Sequence, residues 1–144
     1  MANFHDTLVL NKYMLSLFGI DSIGKKIKVV QAVADAIGLK NVSARHTRAE
    51  DIRDQKVDVV VSRAVAPLAQ LWAWSRPLLR APRKAAPVSH DDALPVPHGL
   101  ICLKGGDLAA EIAESGCRPR IMEITSVFPL ESFRDKYILY VPAK

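Results

Sequence analysis

The chain of 144 residues lacks a glycine-rich loop near its N-terminus, where Gly19 is the only glycine before residue 21. Aromatic residues make up only 6% of the chain, so the core must consist mainly of Leu, Ile, Val and Ala. No apolar run is long enough for a transmembrane helix, and the N-terminus has no basic stretch before an apolar one. We therefore expect neither a membrane span nor a secretory signal.

Cysteine is scarce as well, since Cys102 and Cys117 stand far apart and outside any CxxC pattern. This usage predicts free thiols in a cytoplasmic protein, and it argues against a disulfide or zinc framework. Cys102 lies between two apolar neighbours, so we expect it to be a small buried core residue. The histidines and aspartates of segment 90–98 lack the spacing of metal ligands, so no metal site is predicted.

Basic residues are in excess, with a net charge of +5 and a pI of about 9.4. Such a balance favours contact with a polyanion, nucleic acid first, although a mildly basic protein without such a partner is an equal alternative. The length predicts one domain, and the apolar content of 49% is ordinary for a globular protein.

Hydrophobic spacing predicts alternating helices and strands. A helix is expected over 22–37, with Ser22 as its N-cap and Gly38 just beyond its end. Strands are expected at 41–46, 57–62, 99–104, 120–128 and 136–141, with helices after Pro67 and Asp107. The valine-rich segment 57–62 suits a parallel strand that is buried on both faces. This order predicts a doubly wound α/β domain.

Two regions are less regular. The spacing of apolar residues from Leu10 to Phe18 suits a helix that stops at Gly19, while a hairpin of residues 7–10 and 13–18 is the alternative. Residues 81–98 contain four prolines among polar residues and predict a long irregular connection.

Charged residues follow the predicted strands at the edge where open α/β sheets bind ligands. Asp21 comes directly before the first helix, and Arg63 leaves the valine-rich strand. A cation at that position is costly unless it meets an anion or hydrogen-bond acceptors. For Arg63 the alternative to a ligand is a structural salt bridge to Glu50 or Asp58, and for Asp21 it is a carboxylate that stabilises the helix N-terminus.

Several segments together resemble the RsmG (GidB) family of 16S ribosomal RNA methyltransferases. The match runs in order over roughly residues 20–142, and its most specific pieces are Asp21–Lys26, Gly38–Val42, Arg48–Glu50, Val59–Ala64 with Pro67–Leu68, and Leu103–Gly106. The resemblance implies a Rossmann-like class I methyltransferase that uses S-adenosylmethionine to methylate N7 of a guanine in the small ribosomal subunit.

The resemblance also implies roles for individual residues. Cofactor binding is expected from Asp21 and Ser22 at the ribose, from Ala49 and Glu50 at the adenine, and from Arg63. Without the resemblance, Glu50 could equally belong to an acidic first helical turn. RNA binding is expected from Arg63, Lys25, Lys26 and Lys104, where a purely structural role for Lys104 is as well supported. Because N7 has an available lone pair, no catalytic base, nucleophile or metal is expected.

The chain departs from the family at its start. The family places a glycine-rich loop after a first strand that lies at the centre of the sheet, and nothing before Asp21 matches either feature. We therefore interpret residues 1–144 as an incomplete domain in which residues 1–20 are atypical. Two strands should then have unpaired edges, so we expect weak cofactor binding and homo-oligomerisation. The alternative is a non-catalytic remnant that binds RNA or associates with itself.

Overall fold

The computed structural model describes residues 16–63, 66–81 and 98–143, and the chain divides into two compact units. The N-terminal unit, residues 1–53, contains β1 (Leu17–Asp21), α1 (Gly24–Ala36) and β2 (Val42–His46). The C-terminal unit, residues 54–144, contains β3 (Val59–Arg63), α2 (Leu68–Ser75), β4 (Gly99–Gly105), α3 (Ala109–Ser115), β5 (Arg120–Glu123) and β6 (Lys136–Pro142). The expectation of a single domain is not tested by this division and stays a prediction.

In the N-terminal unit, β1 and β2 form a parallel pair with Asp21 opposite His46 at its carboxyl end. Two parallel strands need a long crossover, and α1 supplies it. The helix buries Ile27 and Ala34, which belong to the apolar spacing seen in the sequence. The helix and the following strand are therefore confirmed, with bounds shifted by one or two residues.

The two ends of α1 differ from each other in how well they were predicted. Ser22 is not the N-cap, because the Asp21 carboxylate Oδ1 accepts the N–H of Ile23 at 2.7 Å and the helix begins at Gly24. At the other end Gly38 adopts a φ of 75°, as predicted. Leu39 N–H then donates to the Ala34 carbonyl at 2.9 Å, which satisfies a terminal carbonyl of the helix.

The C-terminal unit is a four-stranded sheet in the order β3-β4-β6-β5. β3 and β4 are parallel, while β6 runs antiparallel to both β4 and β5. Helices α2 and α3 contribute to the core on one face of this sheet. That core is formed by Leu68, Leu71, Leu100, Cys102, Leu108, Leu139 and Val141. The predicted burial of Cys102 is confirmed.

The valine-rich strand is not buried on both faces as predicted. Val61 is 63% exposed, and Val59 and Val60 are only half-buried. Regular pairing also starts two residues later than expected, since Val57 forms only an isolated bridge with Leu79. The physical reason is that β3 pairs with β4 alone, at one end of its sheet. Among the described residues, no strand pairs with the second edge of β3 or of β1.

The strand expected over 120–128 is shorter than predicted. β5 stops at Glu123, because a 3₁₀ turn over Ile124–Ser126 buries Ile124 and lets the Ser126 hydroxyl donate to the Glu123 carbonyl at 2.6 Å. At the N-terminus, Leu17 and Phe18 lie in a strand, so a helix that includes them is wrong. The rest of that segment and most of the connection 81–98 lie outside the described residues.

The alternation of helices with parallel strands confirms the predicted α/β class, a mixed architecture of the Rossmann-like kind. Within the described ranges, no helix combines the length and the hydropathy that crossing a membrane would require.

Candidate cofactor and RNA site

Asp21 lies at the carboxyl end of β1, and its carboxylate is held by two contacts. Oδ1 accepts the N–H of Ile23, and Oδ2 lies 3.3 Å from the Lys26 ammonium. The side chain is only 10% exposed. A carboxylate offers about four acceptor positions, so these two contacts leave some of them available. Asp21 therefore stabilises the start of α1, and it retains the capacity to accept from a ligand.

His46 holds the turn between β1 and α1, a role that the sequence analysis did not recognise. Its Nε2 lies 3.0 Å from the Ser22 carbonyl, and because a carbonyl can only accept, Nε2 must donate. A Cβ on Gly24 would lie 3.2 Å from Nδ1 of the same ring, so the turn passes close to the imidazole. The small residue at position 24 was the available signal for this contact.

Ala49 and Glu50 follow β2 in a 3₁₀ turn over Ala49–Asp51. The Glu50 side chain is 41% exposed, and its carboxylate lies 3.7 Å from the Arg48 guanidinium. Parallel strands end at the same edge of a sheet, so the structure brings Asp21 and this turn to one edge of the N-terminal unit. Two acidic side chains thus follow two adjacent parallel strands.

The lysines of the first turn of α1 have different surroundings. Lys25 is exposed, whereas Lys26 is partly buried against Asp21. No acidic residue lies in that first turn, so its positive helix end carries two cations without a local counter-charge other than Asp21.

Arg63 is the last residue of β3 and is exposed, in register with Leu103 of β4. Among the residues that the structure describes, its guanidinium has no ion pair or side-chain hydrogen bond. The Asp58 carboxylate is instead 2.6 Å from the Arg80 guanidinium. The structural salt bridge considered for Arg63 at Asp58 is therefore absent, and the cation is available to a ligand.

Lys104 is buried, with its side chain 8% exposed. Its ammonium lies 2.6 Å from the Glu111 carboxylate and donates to the Ala66 carbonyl at 2.5 Å. It shares a sheet face with Cys102, on the side of the helices, whereas Arg63 aligns with Leu103 on the opposite face. The sheet does not bring these two cations to one face, and RNA binding by Lys104 stays a prediction.

Burial raises the pKa of the Cys102 thiol from 9.0 to about 11, although the nearby Lys104 ammonium opposes the shift. Cys102 is thus a thiol at neutral pH and packs as an apolar residue. The described residues contain no group of three or more His, Cys, Asp or Glu side chains that could hold a metal ion, while residues 90–92 lie outside that description.

The fold and these side chains define an α/β protein of the Rossmann-like class with acidic residues at the carboxyl ends of two adjacent parallel strands. The family model described as "rRNA small subunit methyltransferase G" (GidB) matches residues 7–85, more than half of the chain. The chain therefore belongs to the rRNA small subunit methyltransferase G family.

Curated proteins of that name are similar over most of this chain. Identity is 50% over 123 residues with the protein of Parabacteroides distasonis, covering 85% of this chain and 49% of the relative. It is 42% over 128 residues with that of Porphyromonas gingivalis, covering 89% and 54%. It is 44% over 122 residues with that of Bacteroides fragilis strain ATCC 25285, covering 85% and 54%. The chain spans about half the length of the curated relatives it matches.

Proposed function

We propose that this chain is an S-adenosylmethionine-dependent methyltransferase that acts on N7 of a guanine in 16S ribosomal RNA, in the cytoplasm. The observation that carries the proposal is the placement of Asp21 and Ala49–Glu50 after two adjacent parallel strands, in a chain of the rRNA small subunit methyltransferase G family. Open α/β sheets bind nucleoside-containing ligands at this edge.

The residues of the N-terminal unit suit the adenosine part of the cofactor. The Asp21 carboxylate has acceptor positions for the ribose hydroxyls, because its contact with Lys26 is long at 3.3 Å. Ser22 follows in the same turn. The small Ala49 side chain and the exposed Glu50 carboxylate suit the adenine ring and its amino group. The cofactor would supply the electrophilic methyl group.

The cations suit the RNA backbone. Arg63 is exposed without a described partner, and Lys25 is exposed at the start of α1. Both can approach phosphates, and an anionic group of the cofactor is the second ligand that we propose for Arg63. Lys26 and Lys104 are already paired with Asp21 and Glu111, so each would contribute less charge to RNA binding.

Methylation at guanine N7 needs no proton removal before attack, because the lone pair is already available. The contribution of the protein is then to hold the two reactants in line, which can supply about 7–11 kcal/mol of the barrier in well-oriented systems. Residues 1–20 contain no glycine-rich loop to hold the methionine part of the cofactor, so we expect weak binding.

The proposal is tested by methyl transfer. The full chain is incubated with methyl-labelled cofactor at millimolar concentration and 16S ribosomal RNA that lacks the modification, and N7-methylguanosine is quantified. We expect label in that nucleoside, and a loss of at least tenfold (about 1.4 kcal/mol) in Asp21→Asn and Arg63→Ala. The matched control is Asp35→Asn, an exposed carboxylate on α1. No label, or equal labelling by all variants, would overturn the proposal.

A second candidate function, self-association, is supported by the exposure of Val61 on the edge strand β3. Exposed, valine-rich edges pair readily with other chains. A non-catalytic RNA-binding remnant is distinguished by salt-sensitive RNA affinity that does not depend on the cofactor.

A further inference from the structure

A compact network of polar contacts surrounds the start of α2. The Glu111 carboxylate Oε1 accepts the N–H of Leu68 at 2.7 Å and is 2.6 Å from the Lys104 ammonium. The same ammonium donates to the carbonyl of Ala66 at 2.5 Å. A residue of α3 and a residue of β4 therefore hold the segment just before α2 and the first residue of that helix.

This network does for α2 what a local cap does for other helices. Pro67 stands at the N-cap position and provides no side-chain hydrogen bond, so the first N–H of the helix has no local acceptor. Leu68 is fully buried, and an unsatisfied buried N–H is costly. Glu111, which lies 43 positions further along the chain, accepts this N–H and so removes that cost. Lys104 in turn balances the negative charge of Glu111.

The network lies close to Arg63 along the chain. Only residues 64–67 separate Arg63 from Leu68. Arg63 is held on one side by the pairing of β3 with β4, in register with Leu103. After Arg63, the next described polar contacts with β4 and α3 are those of Ala66, which accepts from Lys104, and of Leu68, which donates to Glu111.

We propose that Glu111 is a positioning residue that, with Lys104, holds Ala66 and the first residue of α2 and so restricts how Arg63 is presented to the anionic groups of RNA. The inference rests on the proposed function in one respect only, which is the role of Arg63. The structural part, that Glu111 anchors the start of α2, can be tested without RNA.

The anchoring is tested by amide hydrogen exchange at Leu68 in the full chain. Glu111→Ala should accelerate exchange at least about tenfold, because it removes a hydrogen bond to a charged acceptor. Glu111→Gln should restore part of the protection, since its amide oxygen can still accept. Glu114→Ala, an exposed glutamate on the same helix, is the matched control and should leave the rate unchanged.

Equal exchange at Leu68 in Glu111→Ala and Glu114→Ala would overturn the anchoring. If Glu111→Ala does not fold, Lys104→Met takes its place, because it removes the contact with Ala66 and leaves the Glu111 carboxylate without its counter-ion. An unchanged rate in that variant overturns the inference as well.

The positioning of Arg63 is tested by RNA affinity in a double-mutant cycle. With Arg63 present, Glu111→Ala should weaken binding of a 16S ribosomal RNA fragment about threefold to tenfold, and in an Arg63→Ala background it should have no further effect. A merely structural role predicts the same loss in both backgrounds, and that result would overturn the positioning.

Failure of the proposed function gives a different pattern. If wild type and Arg63→Ala bind RNA equally, Arg63 has no RNA role, and the positioning falls with the proposed function. The exchange rates at Leu68 then still decide whether Glu111 anchors α2.

Discussion

Cys102 shows how burial determines the chemistry of a single side chain. It belongs to β4 and its side chain packs in the core, where the thiolate would lose its hydration. The pKa of its thiol is raised to about 11, and the largest cause is this burial. Low-pKa, accessible thiols are the reactive ones, so Cys102 is a packing residue and not a nucleophile.

The shifted pKa predicts a loss of stability in base. In the unfolded chain the thiol ionises near its ordinary pKa of 9.0, while the folded chain resists ionisation until about 11. The stabilisation is thus fully present below pH 9 and is lost progressively as pH rises towards 11. It amounts to about 2–3 kcal/mol, measured by urea unfolding across this range.

Cys102→Ala provides the control for that titration. It lowers stability at every pH through the smaller side chain, but its stability should fall less steeply between pH 9 and 11. Parallel pH profiles for the two proteins would contradict the assignment of this loss to Cys102.

Gly99 occupies a backbone position that side chains do not tolerate. Its φ is 152°, and a Cβ there would lie 2.2 Å from the Val141 carbonyl oxygen of β6. Gly99→Ala should therefore force the two strands apart and cost about 2–4 kcal/mol of unfolding free energy.

Gly106→Ala is the comparison for Gly99→Ala, because Gly106 also has a positive φ, 83°, but open space around it. We expect it to cost about 1 kcal/mol in thermal or urea unfolding. Equal losses in the two variants would show that contact with β6 is not what requires glycine at position 99.

At the scale of elements, α1 was predictable because its signals are local. Apolar residues recur at helical spacing, and the glycine beyond its end satisfies the terminal carbonyls without any tertiary partner. Its N-cap was mispredicted because the helix begins at Gly24, after a turn in which the Asp21 carboxylate accepts the Ile23 N–H. The residue at which such a turn ends and the helix begins is decided by backbone geometry that the sequence does not state.

Asp21 therefore has a role in α1 that is separable from ligand binding. Asp21→Ala removes the acceptor of the Ile23 N–H and should lower stability by about 1 kcal/mol, because that N–H loses its hydrogen bond to a carboxylate. Asp21→Asn keeps an acceptor oxygen and should lose less. Thermal unfolding measures both, and equal stability of wild type and Asp21→Ala would contradict this role.

The strands were harder to predict than the helix. The valines of β3 suit burial on both faces, but burial depends on which neighbours lie beside the strand, and β3 has one described neighbour. β4 has neighbours on both sides, and the alternation of its buried residues follows from them. The difference between the two strands therefore lies in their neighbours, which the sequence does not state.

At the scale of the whole molecule, the candidate site could be predicted only in part. The positions of Asp21 and Glu50 followed from the residue order, because the ends of adjacent parallel strands share an edge. The residue order likewise placed Arg63 at the end of β3, in the other sheet. The contacts of His46, Glu111 and Lys104 did not follow from that order, since they join residues far apart in sequence. Pairings of that kind depend on register and packing, which no local pattern encodes.

The exposed edge of β3 predicts association between copies of the chain. Wild type should show a mass that rises with concentration in sedimentation or light scattering. Val61→Lys places a charge on that strand and should shift the chain towards monomer, while Val29→Lys, at an equally exposed valine on α1, should not. A constant mass over the whole concentration range would contradict this prediction.

The most direct test of the central claim, that the side chains at the strand ends bind one methyl donor, is an NMR titration of the full chain with S-adenosylmethionine. We expect the amides of Asp21 and Glu50, which follow the paired strands β1 and β2, to shift together along one saturation curve, with weak affinity. Shifts that spare Asp21 and Glu50, or that follow different curves at these two residues, would contradict the claim.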